Sequence, residues 1–359
     1  MDSKISNNDI QPVAVLGAGS FGTAVANLLA VNSPVYLYAR KPEVVEEMKS
    51  SREHNGVRLH ERITPTNDLQ MVVEQCTTLF PVVPSSGFRD LIHKIAPMLH
   101  PYHVLIHGTK GLDVQLESDI PFEEQRITKK QVKTMSEVIR DETVVVRVGA
   151  LAGPNLATEL AQGYPAATVV ASPFNEVIQE GIRLLKNDKF QVYGNRDIIG
   201  IELCGVLKNI IAIASGGIAG MGMGENSRGL LVSRGMMEMM HIGKFFGAEP
   251  EAFMGLAGIG DMVTTCYSTY SRNFTVGNRL AKGESLQDIL NDMEEVAEGV
   301  NTIKIVKKLT ESAGLRAPIT ENLYRVLFEN QPVNEAIDTL MKYPFNIDVS
   351  MPDRISEAT

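Results

Sequence analysis

The stretch Val13 to Gly22, VAVLGAGSFG, constrains this chain more than any other. Val13-Ala14-Val15-Leu16 is a short apolar run of the kind that forms a strand buried on both faces, and it breaks at once into Gly17, Gly19 and Gly22. Gly17 allows a tight turn out of the strand, Gly19 lets backbone approach a pyrophosphate, and Gly22 lets the next helix pack closely. A helix opening near Ser20 and Phe21 then turns its first N–H groups toward phosphate. Glycines also mark ordinary turns, so the spacing alone is weak. Its context decides: an Ala/Leu-rich helix through Val31 and a second strand, Val35 to Ala39, complete a βαβ unit that favours dinucleotide binding.

The end of that second strand bears on which dinucleotide. A site selective for NAD places Asp or Glu about 20 residues after the glycines, to accept from the ribose 2′-hydroxyl. Here Arg40 is followed by Lys41, and two cations suit a 2′-phosphate. NADPH is therefore favoured, with NADH open; a solvated basic loop is the plain alternative.

At 359 residues the length predicts about two domains with room for a core. No apolar run reaches the ~18 residues of a membrane span. Met1 to Gln11 is polar, unlike a secretory signal. Cys76, Cys204 and Cys266 stand far apart with no CxxC pair, which argues against a zinc site or a disulfide framework and fits a reducing cytoplasm. No histidine has a partner at metal-ligand spacing, so no metal is expected. The formal charge of −9 repels nucleic acid at long range, and makes clustered Lys and Arg stand out as sites for an anionic substrate.

The expected architecture is a Rossmann-type α/β domain over 1–195, an all-helical domain over 196–345, and a loose tail over 346–359. Glu43 to Ser51 reads as helix, Arg52 to Thr66 as a polar loop, Thr78 to Pro84 as a strand running into a turn, Gly87 to Leu99 as helix and His103 to His107 as strand. Asp113 to Asp141 reads as a charged surface excursion with one helix. Strands follow at Val144 to Val148, Ala167 to Ala171 and Gln191 to Tyr193, with Gly153-Pro154-Asn155 opening a helix. This βα alternation predicts a parallel sheet. From Ile198 onward only helical segments appear: Ser215 to Gly224 reads as a helix end and loop, Met236 to Met240 as helix packing, and Glu284 to Val296 and Asn301 to Ala313 as amphipathic helices.

Three places carry candidate chemistry. Lys110, in Gly108-Thr109-Lys110-Gly111 after a strand, sits where open α/β sheets bind ligands. The helix Ile198 to Ala214 is apolar on nearly all sides yet holds Lys208 and Asn209 in its middle. A buried lysine needs a partner. Glu202 lies about 120° round the helix, so Asp261, emerging from Gly258-Ile259-Gly260, is the expected one. A lysine whose head reaches water is the alternative. Ser271-Arg272-Asn273 offers a hydroxyl, a guanidinium and an amide suited to phosphate oxygens.

These motifs, in order, resemble the bacterial type of NAD(P)-dependent glycerol-3-phosphate dehydrogenase: VLGAGSFGTA, HGTKGL, AGPNLATEL, GVLKNIIAIA, GIGDMVTTC, SRN and VAEGVNT, from about Val13 to about Leu340. The resemblance implies that Lys208 is the general acid/base, that Lys110 contacts the substrate, and that Asp261 with Thr265 supports the lysine. It puts Ser271, Arg272 and Asn273 on the substrate phosphate, with Gly153 and Asn155 nearby. For the cofactor it points to Ser20, Phe21, Arg40, Lys110, Ala157, Val296 and Glu298, with Arg272 shared. Two departures stand out: Asn155 replaces a Thr or Ser often found there, and the excursion 113–141 is longer than usual.

The implied reaction is reversible hydride transfer between NAD(P)H and C2 of dihydroxyacetone phosphate, giving sn-glycerol 3-phosphate for glycerophospholipid synthesis, with Lys208 as the proton donor. A second cation at Lys110 would lower the pKa of Lys208 and Asp261 would raise it, so sequence leaves the net direction open. A homodimer through the helical domain is compatible with the sequence. Two other readings stay open: a related two-domain hydroxy-acid or sugar-acid reductase, and a non-catalytic dinucleotide sensor.

Overall fold

A computed structural model describes residues 11–116, 120–293 and 295–343. The polar start, apart from Gln11, and the tail expected after residue 345 lie outside the described residues. The chain divides into two compact units. The first holds the residues up to Thr109, Met135–Leu151 and Asn155–Ile198; the second holds Lys110–Thr134, Ala152–Pro154 and the chain from Ile199. A single division at residue 195 therefore misassigns two segments. Lys110 itself opens one of them.

The first unit is built on eight strands: β1 (Val13–Leu16), β2 (Val35–Tyr38), β3 (Ile63–Thr66), β4 (Thr78–Pro81), β5 (Val104–His107), β6 (Arg147–Ala152), β7 (Ala166–Ala171) and β8 (Phe190–Asn195). They lie in the order β8-β7-β6-β5-β4-β1-β2-β3. From β3 to β6 the neighbours run parallel, as do β7 and β8. The run 3-2-1-4-5-6 within this order is that of dinucleotide-binding folds, whose ligands sit outside the carboxyl ends of β1 and β4, where the order reverses. Leu16, Leu37, Phe80 and Ile106 are fully buried, which is why these strands read as continuous apolar runs.

Helices α1 (Ser20–Ala30), α2 (Pro42–Ser51), α3 (Leu69–Gln75), α4 (Phe88–Ile95), α5 (Met135–Glu142), α6 (Ala157–Ala161) and α7 (Asn175–Leu185) connect the strands. Three expectations need correction. Arg52 to Thr66 is not a loop: it holds a two-stranded ribbon, Glu53–His54 with Val57–Arg58, and then β3. Pro65 argues against a strand, but β3 is the sheet's edge, where a missing N–H is tolerated.

The strand expected at Val144 to Val148 runs instead over Arg147–Ala152, with Val144 and Val146 exposed. At Gly149 the strand lies so close to α7 that a Cβ there would meet Val177 at 2.9 Å. β-Propensity cannot register that proximity. Gly153-Pro154-Asn155 precedes a helix rather than opening one, since α6 begins at Ala157.

The second unit is helical: α8 (Ile198–Gly220), α9 (Glu225–Phe246), α10 (Pro250–Met254), a π-helical turn (Leu256–Gly260), α11 (Asp261–Tyr267), α12 (Arg272–Ala281), α13 (Leu286–Asp292), α14 (Glu298–Ala313), α15 (Pro318–Phe328) and α16 (Val333–Met341). A ribbon of Asp113–Val114 with Val132–Lys133 gives the charged excursion a fixed core. The helix expected over Glu284 to Val296 is shorter, α13 alone.

By length and composition α8 could cross a membrane, which the unbroken-run criterion missed because Glu202, Lys208 and Asn209 interrupt it; yet 89% of its most apolar stretch is buried inside the protein. It is the core helix of this unit. Its glycines are where α12 touches it: a Cβ on Gly216 would lie 2.0 Å from the Phe274 carbonyl oxygen, and one on Gly277 would lie 1.8 Å from that of Ile213. The Ser215 to Gly224 segment is thus a helix end through Gly220, where Gly216 and Gly220 meet α12, followed by a loop.

Candidate active site

In the first unit, Gly17 takes φ +127°, and a Cβ there would lie 2.2 Å from the Val82 carbonyl oxygen. A Cβ on Gly22 would lie 2.0 Å from the Gly17 carbonyl oxygen. Both positions exclude any side chain, leaving a cradle of bare backbone at the carboxyl end of β1. Gly19 caps α1 with no side-chain bond of its own, so the helix N-terminus can meet an anion directly. Phe21 lies against Gly108. Arg40 and Lys41 are exposed just past the end of β2. These residues fit a dinucleotide.

In the second unit, the carboxylate of Asp261 lies between two ammonium groups. Lys208 Nζ donates to Asp261 Oδ1 at 2.7 Å, and Lys110 Nζ donates to Asp261 Oδ2 at 2.9 Å and to the Gly153 carbonyl at 3.4 Å. Lys208 also donates to Thr265 Oγ1. The Thr265 hydroxyl donates to the Asp261 carbonyl at 2.6 Å, which leaves its oxygen to accept from the lysine.

Local structure explains the placement. The tight turn before α11, where a Cβ on Gly258 would lie 1.9 Å from the Phe253 carbonyl oxygen, delivers Asp261 at the first position of the helix. Thr265 follows one turn later, on the same face. Lys208 lies midway along buried α8.

Burial pushes the Lys208 ammonium pKa down to about 8; Asp261 pulls it up and Lys110 pushes it down further. For Asp261, burial acts to raise the pKa, but the two ammonium groups outweigh it and hold the carboxyl below its ordinary value. The direction left open by sequence is thus set chiefly by desolvation. An ammonium has three N–H groups, and Lys208 commits two, to Asp261 and Thr265. Among the described residues no acceptor takes the third.

The Ser271-Arg272-Asn273 triplet is less uniform than its sequence implies. Ser271 caps α12, its hydroxyl accepting from Phe274 N at 3.3 Å. Asn273 Oδ1 accepts from Gly299 N at 3.0 Å and so ties α12 to the start of α14. Arg272 is half-exposed, pairs with Glu295 at 2.9 Å, and donates to the Val296 carbonyl at 3.1 Å. Asn155 belongs to the first unit, where its amide donates to the Ala167 carbonyl at 2.9 Å and its oxygen accepts from Thr168 at 2.8 Å. That side chain braces the loop against β7. Of the residues expected at the cofactor, Ala157 lies in the first unit, while Lys110, Arg272, Val296 and Glu298 lie in the second.

Two residues went unnoticed in the sequence. Glu238, inside MMEMM, is buried and accepts from Ile319 N at 2.7 Å, Thr320 N at 3.0 Å and Thr320 Oγ1 at 2.6 Å, capping α15. One acid amid four methionines was the available signal. His54 also escaped notice; its ring Nε2 lies 2.8 Å from the Ala18 carbonyl oxygen in the glycine turn.

Comparison with known proteins agrees with the geometry. The family model for the N-terminus of NAD-dependent glycerol-3-phosphate dehydrogenase matches residues 12–178, and that for the C-terminus matches 197–338. A glycerol-3-phosphate dehydrogenase [NAD(P)+] of Pseudomonas putida (KT2440) is 40% identical over 344 residues, covering 94% of this chain and 96% of its own. One from Ectopseudomonas mendocina is 40% identical over 346 residues, covering 95% and 97%. The crystal structure of glycerol-3-phosphate dehydrogenase from Coxiella burnetii superimposes with a TM-score of 0.83 at 32% identity, covering 93% of this chain and 99% of that one. The chain belongs to the NAD-dependent glycerol-3-phosphate dehydrogenase family.

Proposed function

We propose that this enzyme reduces dihydroxyacetone phosphate to sn-glycerol 3-phosphate, with NADPH preferred over NADH, and that Lys208 moves the proton. The observation that carries this reading is the buried Lys208–Asp261–Thr265 cluster with Lys110 beside it. The bound nicotinamide supplies the hydride received at C2.

Lys208, as ammonium, directs its uncommitted N–H at the C2 oxygen and gives up the proton as negative charge develops there. Asp261 and Thr265 fix the amine so that little reorganisation is needed. In the reverse direction the neutral amine keeps both bonds, and its lone pair accepts the alcohol proton. Lys110 adds positive charge at the substrate. Arg272, with the amide nitrogen of Asn273, binds the substrate phosphate; to do so the guanidinium exchanges its Glu295 and Val296 contacts for phosphate oxygens.

Gly17, Gly19, Ser20, Phe21 and Gly22 hold the pyrophosphate of the dinucleotide. Arg40 and Lys41 take the 2′-phosphate, which is the basis for preferring NADPH. The three cysteines are buried and in no disulfide, which suits a reducing cytoplasm.

Loss of NADPH absorbance on adding dihydroxyacetone phosphate, with an NADH series beside it, tests the reading. Rapid oxidation with NADPH ahead is expected. Tight dinucleotide binding without turnover would discard the substrate and bring forward the sensor reading.

A further inference from the structure

We infer that the hairpin Glu53–Arg58 is a positioning element for dinucleotide binding, in which His54 and Asn55 fix the orientation of the glycine turn. The inference rests on the dinucleotide reading of that turn. The hairpin is locally determined: Asn55 and Gly56 take φ of +50° and +71°, the paired positive values of a two-residue turn, with His54 opposite Val57.

That turn carries two donors to one acceptor. His54 Nε2 lies 2.8 Å from the Ala18 carbonyl oxygen, and Asn55 Nδ2 lies 3.2 Å from it. The second hydrogen on Asn55 Nδ2 goes to Thr23 Oγ1 at 3.1 Å, and the Thr23 hydroxyl donates to the Gly19 carbonyl at 3.0 Å. One turn further along α1, Asn27 donates to the Arg58 carbonyl at 3.3 Å and accepts from His60 N at 2.8 Å. The hairpin is thereby fastened along the Thr23 and Asn27 stripe of the helix.

The consequence follows from the planarity of the peptide. In a trans peptide the Ala18 C=O and the Gly19 N–H lie in one plane and point opposite ways. Two donors holding the carbonyl toward the hairpin therefore aim the Gly19 amide away from it. Gly19 is exposed, and its amide meets no acceptor among the described residues. A Gly-Ala-Gly turn has no bulky side chains to fix itself, so an external clamp reduces what must be ordered when pyrophosphate binds.

The test uses NADPH, with NADH beside it, titrated by its fluorescence into the full-length protein and its variants. Asn55→Gly is informative because glycine keeps the positive φ and removes only the two side-chain bonds. The dinucleotide Kd should rise about fivefold in Asn55→Gly and about tenfold or more when His54→Ala is added. His54→Gln, which keeps an N–H near the Nε2 position, should recover most of the loss caused by His54→Ala. AMP, which lacks a pyrophosphate, should bind every variant alike. The KM for dinucleotide should rise with its Kd, while that for dihydroxyacetone phosphate moves less than about twofold.

If His54→Ala fails to fold, Asn55→Gly alone decides. Unchanged dinucleotide affinity in Asn55→Gly, or equal losses for AMP and dinucleotide, would overturn the positioning role. Wild-type protein that binds neither dinucleotide would instead remove the dinucleotide reading itself.

Discussion

Lys208 Nζ donates to Asp261 Oδ1 at 2.7 Å across 53 residues of chain, and neither side chain is more than 5% exposed. Two opposite charges so thoroughly withdrawn from water do not serve stability well, because desolvation consumes most of their attraction. Held between a second ammonium and a threonine hydroxyl, the pair instead keeps a lysine whose proton burial loosens.

Lys208→Ala should lower kcat by about three orders of magnitude while leaving the dinucleotide Kd unchanged. Steady-state assays with a parallel fluorescence titration measure both. Full turnover in the variant would remove Lys208 from the mechanism.

The pH dependence has a definite sign. Because burial holds Lys208 near a pKa of about 8, kcat for reduction should be level below that pH and fall above it. kcat for oxidation should rise through the same value. Removing Lys110 as Lys110→Met takes away a like charge and should move the break upward. Asp261→Asn takes away the opposite charge and should move it downward, with a stability loss of about 3 kcal/mol as two ammonium groups lose their shared partner. Coincident breaks in all three proteins would assign the titration to another group.

Arg272→Ala should raise the KM for dihydroxyacetone phosphate by at least about tenfold. Comparison with unphosphorylated dihydroxyacetone is the check. A guanidinium that reads phosphate leaves that poor substrate almost unaffected, whereas equal losses on both would refute phosphate recognition by this residue.

Glu238→Ala should destabilise the protein by about 2–4 kcal/mol in urea unfolding, since three donors at the start of α15 lose their acceptor. Burial raises the Glu238 pKa against those three bonds. The folded state therefore holds the proton more tightly than the unfolded chain, and this residue's contribution to stability should decline as pH rises from 4.5 through the folded pKa. A flat dependence over that range in Glu238→Gln is the control.

Much of the fold was legible because its signals are local. Strand β1 and the glycine turn announce themselves through apolar run and spacing, and α8 through its length and apolarity. What failed was local pattern under tertiary influence. β3 lies within a polar stretch that reads as loop, and it carries a proline that only its edge position permits. β6 begins at Arg147 rather than Val144 and runs through Gly149, which α7 approaches too closely for a side chain, a requirement that strand propensity does not register. Asn55-Gly56 is a dipeptide with strong hairpin preference, but its polar surroundings lack the alternating apolar flanks that mark a strand pair.

By itself, the sequence determined the βα alternation around β1, the glycine turn and which lysine would be buried, since periodicity and glycine spacing are properties of neighbouring residues. The tertiary structure decided what no neighbouring residue could: that Lys110 packs with the second unit and shares the Asp261 carboxylate with Lys208. It also decided that Asn155 is spent on bracing β7, that Glu238 caps a distant helix, and that His54 reaches the glycine turn. Each of these depends on distances between segments far apart in the chain, and the lowered pKa of Lys208 depends on how completely those segments exclude water.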